Sequence, residues 1–226
     1  MLWLFTSRGQ SIGSDTPTLS YSCMEYFQKT FDFNQTITNL PAGTYQVRVQ
    51  AYQRPGAATN VYNNYVDGAD EVTTWLYAGS ESVKISNIAS EARTSKLGGN
   101  ETQVSNIPPR YVPNNMQAAS LYFAKGLYDN ALTLSIDKEG ASLKVGLRCT
   151  TSNSNYWTIF DNFRLYYYGS LDKDLVSDIE EVNAPITNAP ADVYSITGVR
   201  VRANATTLEG LPSGIYIIDG HKVLIK

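Results

Sequence analysis

The chain has 226 residues, 42% of them hydrophobic and 17% charged, and a formal net charge of -3, so it can bury a core and has room for one large domain and a small one. No run of Lys or Arg is present to neutralise phosphates, so nucleic acid is not an expected partner. No apolar stretch approaches the roughly 20 residues that span a bilayer, and Met1-Leu-Trp-Leu-Phe5 is too short and lacks the basic flank of a signal peptide; either export is absent or a leader has been removed.

Sixteen Tyr and sixteen Gly, with many Thr, Asn and Ser, predict strands and turns rather than helices. Residues 35–40 and 44–52 read as two strands joined by the turn Pro41-Ala-Gly43. Tyr45, Val47, Val49 and Ala51 alternate there with Gln46, Arg48 and Gln50, the period of a half-buried antiparallel strand, and the pair is expected to form a β-hairpin. Residues 73–78 and 82–86 follow as two further strands. Residues 87–115 carry Gly98-Gly99 and Pro108-Pro109 and read as a long loop. Pro113 to Ala124 predicts a short helix with Asn114 as N-cap and Met116, Ala119 and Phe123 on one face. Residues 130–136, 141–148 and 158–166 supply three more alternating strands. At least seven strands separated by turn signals predict an antiparallel sandwich.

Composition shifts after Gly169. Residues 171–190, rich in Asp and Glu and ending in prolines, read as an acidic linker. Residues 191–226 then predict two hairpins, the second turning at Asp219-Gly220, a strong hairpin signal. So few residues without a disulfide are marginal alone.

Resemblance adds to this reading. "DVYSITGVRV" followed by "LEGLPSGIYIIDGHKVLIK" resembles the small β tails of secreted Bacteroidetes proteins, similar to the type IX secretion sorting domain. The stretches "FDFNQTITNLPAGTYQVRVQAYQRPG", "TTWLYAG", "YVPNNMQAASLYFAKGLYDNALTLSI" and "WTIFDNFRLYYYG" resemble galactose-binding-like jelly rolls of secreted Bacteroidetes proteins, akin to carbohydrate-binding modules. These resemblances imply an all-β protein: an antiparallel jelly-roll β-sandwich over residues 1–170, then the linker and tail. They also imply a secreted or cell-surface location and, by analogy of fold, a glycan partner. In comparable modules the residue aligned with Asp161 ligates a structural calcium.

The residues themselves point to no catalytic constellation. His221, the one histidine, sits beside a turn in the tail, which argues against a Ser-His-Asp or Cys-His mechanism. Carboxylates are available for glycosidic hydrolysis, but no spacing selects a pair. Asp161 shares its alternation with Trp157, Ile159, Phe163 and Leu165, so its charge needs a partner. Calcium with Glu25 as second carboxylate, a salt bridge, and backbone N–H groups are the alternatives.

Sugar rings stack on aromatic faces while their hydroxyls bond Arg, Asn and Gln. Tyr52, Arg54, Tyr62, Asn64 and Tyr65 in one segment, with Arg110 and Tyr111 in another, form the candidate binding set. Trp75 and Trp157 lie in strands and are expected in the core. Cys23 and Cys149 read either as buried thiols or as a bridge. The expectation is non-catalytic glycan binding. The alternative is a surface adhesin or structural protein that contacts other proteins, and a hydrolase or lyase comes third.

Overall fold

The structure is a computed structural model and describes residues 18–21, 23–177, 179–180, 190–212, 214–218 and 221–225. The opening residues 1–5 and the Asp219-Gly220 turn lie outside that set. Two compact units divide the chain, residues 1–170 and 171–226.

The larger unit contains, in chain order, β1 (Thr18–Ser20), β2 (Cys23–Phe27), β3 (Phe31–Leu40), β4 (Gly43–Pro55), α1 (Ala58–Val66), β5 (Thr74–Ala78), β6 (Glu81–Lys84) and β7 (Ser86–Asn87). It continues with β8 (Glu101–Asn106), β9 (Pro109–Pro113), α2 (Met116–Phe123), β10 (Asp129–Ile136), β11 (Ala141–Cys149) and β12 (Tyr156–Tyr167). A six-stranded sheet runs β1-β2-β12-β4-β10, with β7 added in parallel to β4. A four-stranded sheet runs β3-β11-β5-β6, and β8 pairs with β9 as a separate ribbon. The unit is therefore all-β and sandwich-like.

Strand alternation sends Val47, Val49 and Ala51 of β4 inward against Leu76 and Ala78 of β5 and Val145 and Leu147 of β11. These side chains form the first core, between the two sheets. Tyr26 stacks on Phe31 at its edge, with ring centroids 4.1 Å apart. A second core forms on the opposite face of the six-stranded sheet. There Cys23, Tyr52, Trp157 and Ile159 are covered by Val61 of α1, Met116, Tyr122 and Phe123 of α2, and Val104 and Val112 of the ribbon. Each fully buried large apolar side chain contributes roughly 1.5–3 kcal/mol. Covering both faces explains why β4 is buried almost throughout its 13 residues.

Several expectations change. The expected hairpin of residues 35–52 is not one, because β3 pairs with β11 while β4 pairs with β10 and β12. The chain crosses from one sheet to the other at Pro41 and Ala42. Gly43 permits this with φ +143, at a place where an added Cβ would lie 2.5 Å from the Gly169 carbonyl. The 87–115 segment is not a plain loop, since it holds the β8–β9 ribbon. The helix cap is Asn115, whose side chain accepts the Ala118 N–H at 2.8 Å. The Asn114 side chain instead accepts from Arg54. Helix α1 forms from Thr, Asn, Val and Tyr, which are weak helix formers; burial of Val61 against the second core holds it.

The smaller unit has α3 (Lys173–Ser177), β13 (Ile179–Glu180), β14 (Ala191–Ser195), β15 (Arg200–Ala205), β16 (Gly214–Ile218) and β17 (His221–Ile225). The stretch read as an acidic linker thus carries a short helix and a strand. One sheet runs β13-β17-β16-β14-β15, around a core of Val193, Tyr216, Ile218 and Val223. Among the described residues no helix is long and apolar enough to cross a membrane.

Candidate functional site

The candidate binding residues separate once folded. Tyr52 is fully buried, with ring centroids 4.4 Å from Tyr128 and 5.6 Å from Trp157. It is a core residue rather than a stacking platform, and burial holds its hydroxyl pKa well above the ordinary value. The reason is the second core: the face of β4 opposite Val47 and Val49 does not meet water.

Arg54, two residues further along β4, lays its guanidinium 5.3 Å from the Trp157 ring centroid. It also donates to the Asn114 side chain and, at 3.4 Å, to the Asn155 carbonyl. Burial lowers its pKa from the usual arginine value. Tyr62 packs against the second core, Asn64 donates to Glu71 at 3.4 Å, and Tyr65 on the same helix is 36% exposed. On β9, Arg110 sits opposite Ser105, and the Tyr111 backbone bridges to Arg93. Lys96 covers the Tyr111 ring at 5.3 Å. The fold joins Arg54, Asn114 and Trp157, and leaves Tyr62, Asn64 and Tyr111 with separate local contacts.

Glu25 and Asp161, the pair expected for calcium, each have a hydrogen-bond partner within the protein. Glu25 Oε2 accepts the Trp157 indole N–H at 2.6 Å, and Asp161 Oδ1 accepts the Asn162 N–H at 2.7 Å. Calcium takes 6–8 oxygens, and among the described residues no three His, Cys, Asp or Glu side chains gather as a metal group. The strand alternation expected around Asp161 fails, because a bulge between Asp161 and Arg164 shifts the register, with Asn162 at φ 58. Phe163 consequently joins Phe160 in the first core, while Trp157 and Ile159 belong to the second.

Asp161 is half-buried beside Cys23. Burial raises its carboxyl above the ordinary 3.8, opposed by the Asn162 N–H. The folded chain then binds this proton more tightly than the unfolded chain, so stability falls as pH rises past 3.8. Asp161→Asn keeps an acceptor for the bulge and is expected to match or exceed wild-type stability at pH 7. The gain should vanish below pH 3.8, as read by urea unfolding at both pH values; a less stable variant at pH 7 contradicts this. Burial, then Asp161 and Glu25, push the Cys23 thiol up to about 12. Both cysteines are free. Cys23 lies in the second core and Cys149 in the first, so the sheet separates them.

A different surface combines aromatic, cationic and amide groups: the outward face of the four-stranded sheet. In β5, Leu76 and Ala78 point to the core, so Trp75 and Tyr77 point away from it. In β11, Val145 and Leu147 point in and Lys144, Gly146 and Arg148 out. Asp32 and Asn34 of β3 and Lys84 of β6 complete the face. Tyr77 pairs in register with Gly146, which in turn pairs with Asn34. Its ring crosses that glycine, and its hydroxyl donates to Asp32 Oδ1 at 2.5 Å. A Cβ at Gly146 would clash with the Phe33 carbonyl oxygen. Arg148 and Lys144 lie 5.2 and 5.8 Å from the Tyr77 centroid. Burial, followed by the Asp32 hydrogen bond, raises the Tyr77 hydroxyl pKa.

Trp75 is half-buried, next to Arg148 on β11 and Lys84 on β6 in register. The Lys84 ammonium lies 5.9 Å from its ring centroid. Sequence reasoning placed Trp75 in the core because it counted a strand tryptophan as buried. The signal was present in its alternation with Leu76 and Ala78. No family model, curated protein or solved structure matches the chain.

Proposed function

We propose that this chain is a non-catalytic carbohydrate-binding protein, secreted or held at the cell surface, whose larger unit is a galactose-binding-like jelly roll. Its ligand lies on the outward face of the four-stranded sheet rather than over Arg54 and the residues of α1 and β9. The observation that supports this is Trp75: an indole ring partly open to solvent, on a paired strand with the Lys84 ammonium over it, next in register to Arg148, with Asn34 and Asp32 beyond. A flat ring takes the C–H face of a sugar while neighbouring polar groups take its hydroxyls. Strands hold that arrangement without the ordering cost of a loop.

Binding rather than glycosidic cleavage suits the face. Asp32 is engaged by Tyr77 and by Lys144 at 3.5 Å, and the usual hydrolytic mechanism needs two carboxylates about 5–9.5 Å apart. Affinity electrophoresis of the full chain through gels containing a panel of plant, host and microbial polysaccharides is the test. At least one gel should retard the wild type, and Trp75→Ala should weaken that retardation by about tenfold, the loss of roughly 1.4 kcal/mol, with an unchanged melting curve. Absence of retardation in every gel, or equal retardation of Trp75→Ala, would overturn the proposal.

A further inference from the structure

We infer that the ligand of the Trp75 face is an acidic glycan, bearing carboxylate or sulfate groups. This rests on the glycan-binding reading above and adds the chemical class. The face carries Lys84, Lys144 and Arg148 against Asp32, a cationic excess on a chain whose net charge is -3. Lys144 is answered by Asp32 at 3.5 Å. The other two cations are not: among the described residues neither Lys84 nor Arg148 forms an ion pair with a carboxylate. Lys84 donates to a neutral group, the Asp70 backbone carbonyl, at 3.5 Å. The Asp70 carboxylate itself is turned to the Val72 N–H at 3.2 Å and the Asn87 amide at 3.2 Å. Arg148 rests on the Tyr77 ring.

Position gives these charges a common target. Trp75 pairs in register with Arg148 on one side and with Lys84 on the other. A sugar ring seated at the indole therefore meets the Lys84 ammonium, which lies over that ring, and has the Arg148 guanidinium close by over the neighbouring Tyr77 ring. A guanidinium presents a planar fork that matches carboxylate and sulfate oxygens, whereas an ammonium acts as a point charge. A neutral sugar would leave both charges unanswered. Nucleic acid fits poorly, because two cations without carboxylate partners cannot neutralise a run of phosphates.

Titration calorimetry of the full chain tests this with pairs that share a backbone: polygalacturonate against its methyl ester, and dextran sulfate against dextran, with duplex DNA as polyanion control. At least one acidic member should bind about tenfold more tightly than its neutral partner at low salt, and the difference should shrink as ionic strength rises. Lys84→Glu, an exposed position, should remove most of that preference while the melting curve stays in place; Arg148→Gln is the second variant. Equal binding of charged and neutral members overturns the acidic assignment but leaves glycan binding standing. Binding of no polysaccharide overturns both, and DNA bound as tightly as the acidic glycans overturns the assignment in favour of unselective charge attraction.

Discussion

Asp129→Ala should lower the stability of the larger unit by about 3–5 kcal/mol, seen as a fall in the urea midpoint with an unchanged slope. Arg48 and Arg164 face each other directly across β4 and β12, a like-charge pair that destabilises a sheet unless something intervenes. Asp129, on β10, intervenes. Its Oδ2 accepts Arg48 Nε at 2.9 Å and Arg48 NH2 at 2.8 Å, while its Oδ1 accepts Arg164 NH2. Water screens little here, since the side chains are only 11%, 23% and 18% exposed for Arg48, Arg164 and Asp129. Removing the carboxylate leaves two guanidinium groups opposed in a sheltered position. Asp129→Asn keeps an acceptor but not the charge and should fall between the alanine variant and wild type. A loss below about 1 kcal/mol, the range of exposed pairs, would contradict this account.

The second large effect is expected at Glu101, which is 6% exposed. Its carboxylate accepts the Leu97 N–H at 3.2 Å, the Gly98 N–H at 2.8 Å and the Tyr122 hydroxyl at 2.8 Å. One side chain at the start of β8 thus satisfies two backbone donors of the preceding turn and ties the ribbon to α2. Hydrogen bonds to charged groups contribute about 1.5–3 kcal/mol, and a stranded buried donor costs about 1–3 kcal/mol. Glu101→Ala should therefore cost about 3 kcal/mol or more and open residues 97–100 to proteases. Tyr122→Phe removes only one of the three bonds and should cost about 1–1.5 kcal/mol. Equal losses for the two variants would show that the backbone donors do not depend on Glu101.

The contrast between these residues shows what is legible in such a sequence. Alternation alone located β4, β10, β11 and β12, because a strand with one face on a core repeats every two residues. It could not reveal that β4 is covered on both faces. Gln46, Arg48 and Gln50 looked like a solvent face, and are buried. Tyr52, grouped by its chemistry with Arg54 and the residues of α1, lies on that same covered face. The register shift at Asn162 was equally hidden, because a bulge depends on a positive φ at one residue rather than on composition. Pro41-Ala-Gly43 signals a turn, yet whether the turn makes a hairpin or a crossing between sheets depends on distant partners such as Gly169. The outward face followed the reverse course. The alternation of β11 was visible, and only its pairing with β5, and that of β5 with β6, set the Arg148 and Lys84 strand positions on either side of Trp75.

The central claim is that Trp75 receives the ligand, and fluorine NMR of the full chain labelled with 5-fluorotryptophan addresses it directly. Trp75→Phe and Trp3→Phe each assign one resonance by its loss, and the third of the three belongs to Trp157. On titration with the polysaccharide that the gels and calorimetry identify, the Trp75 resonance should shift or broaden while that of Trp157, enclosed between Glu25 and Arg54, stays in place. Saturable binding with the Trp75 resonance unmoved and that of Trp157 displaced would contradict the account and return the ligand to Arg54 and Asn114.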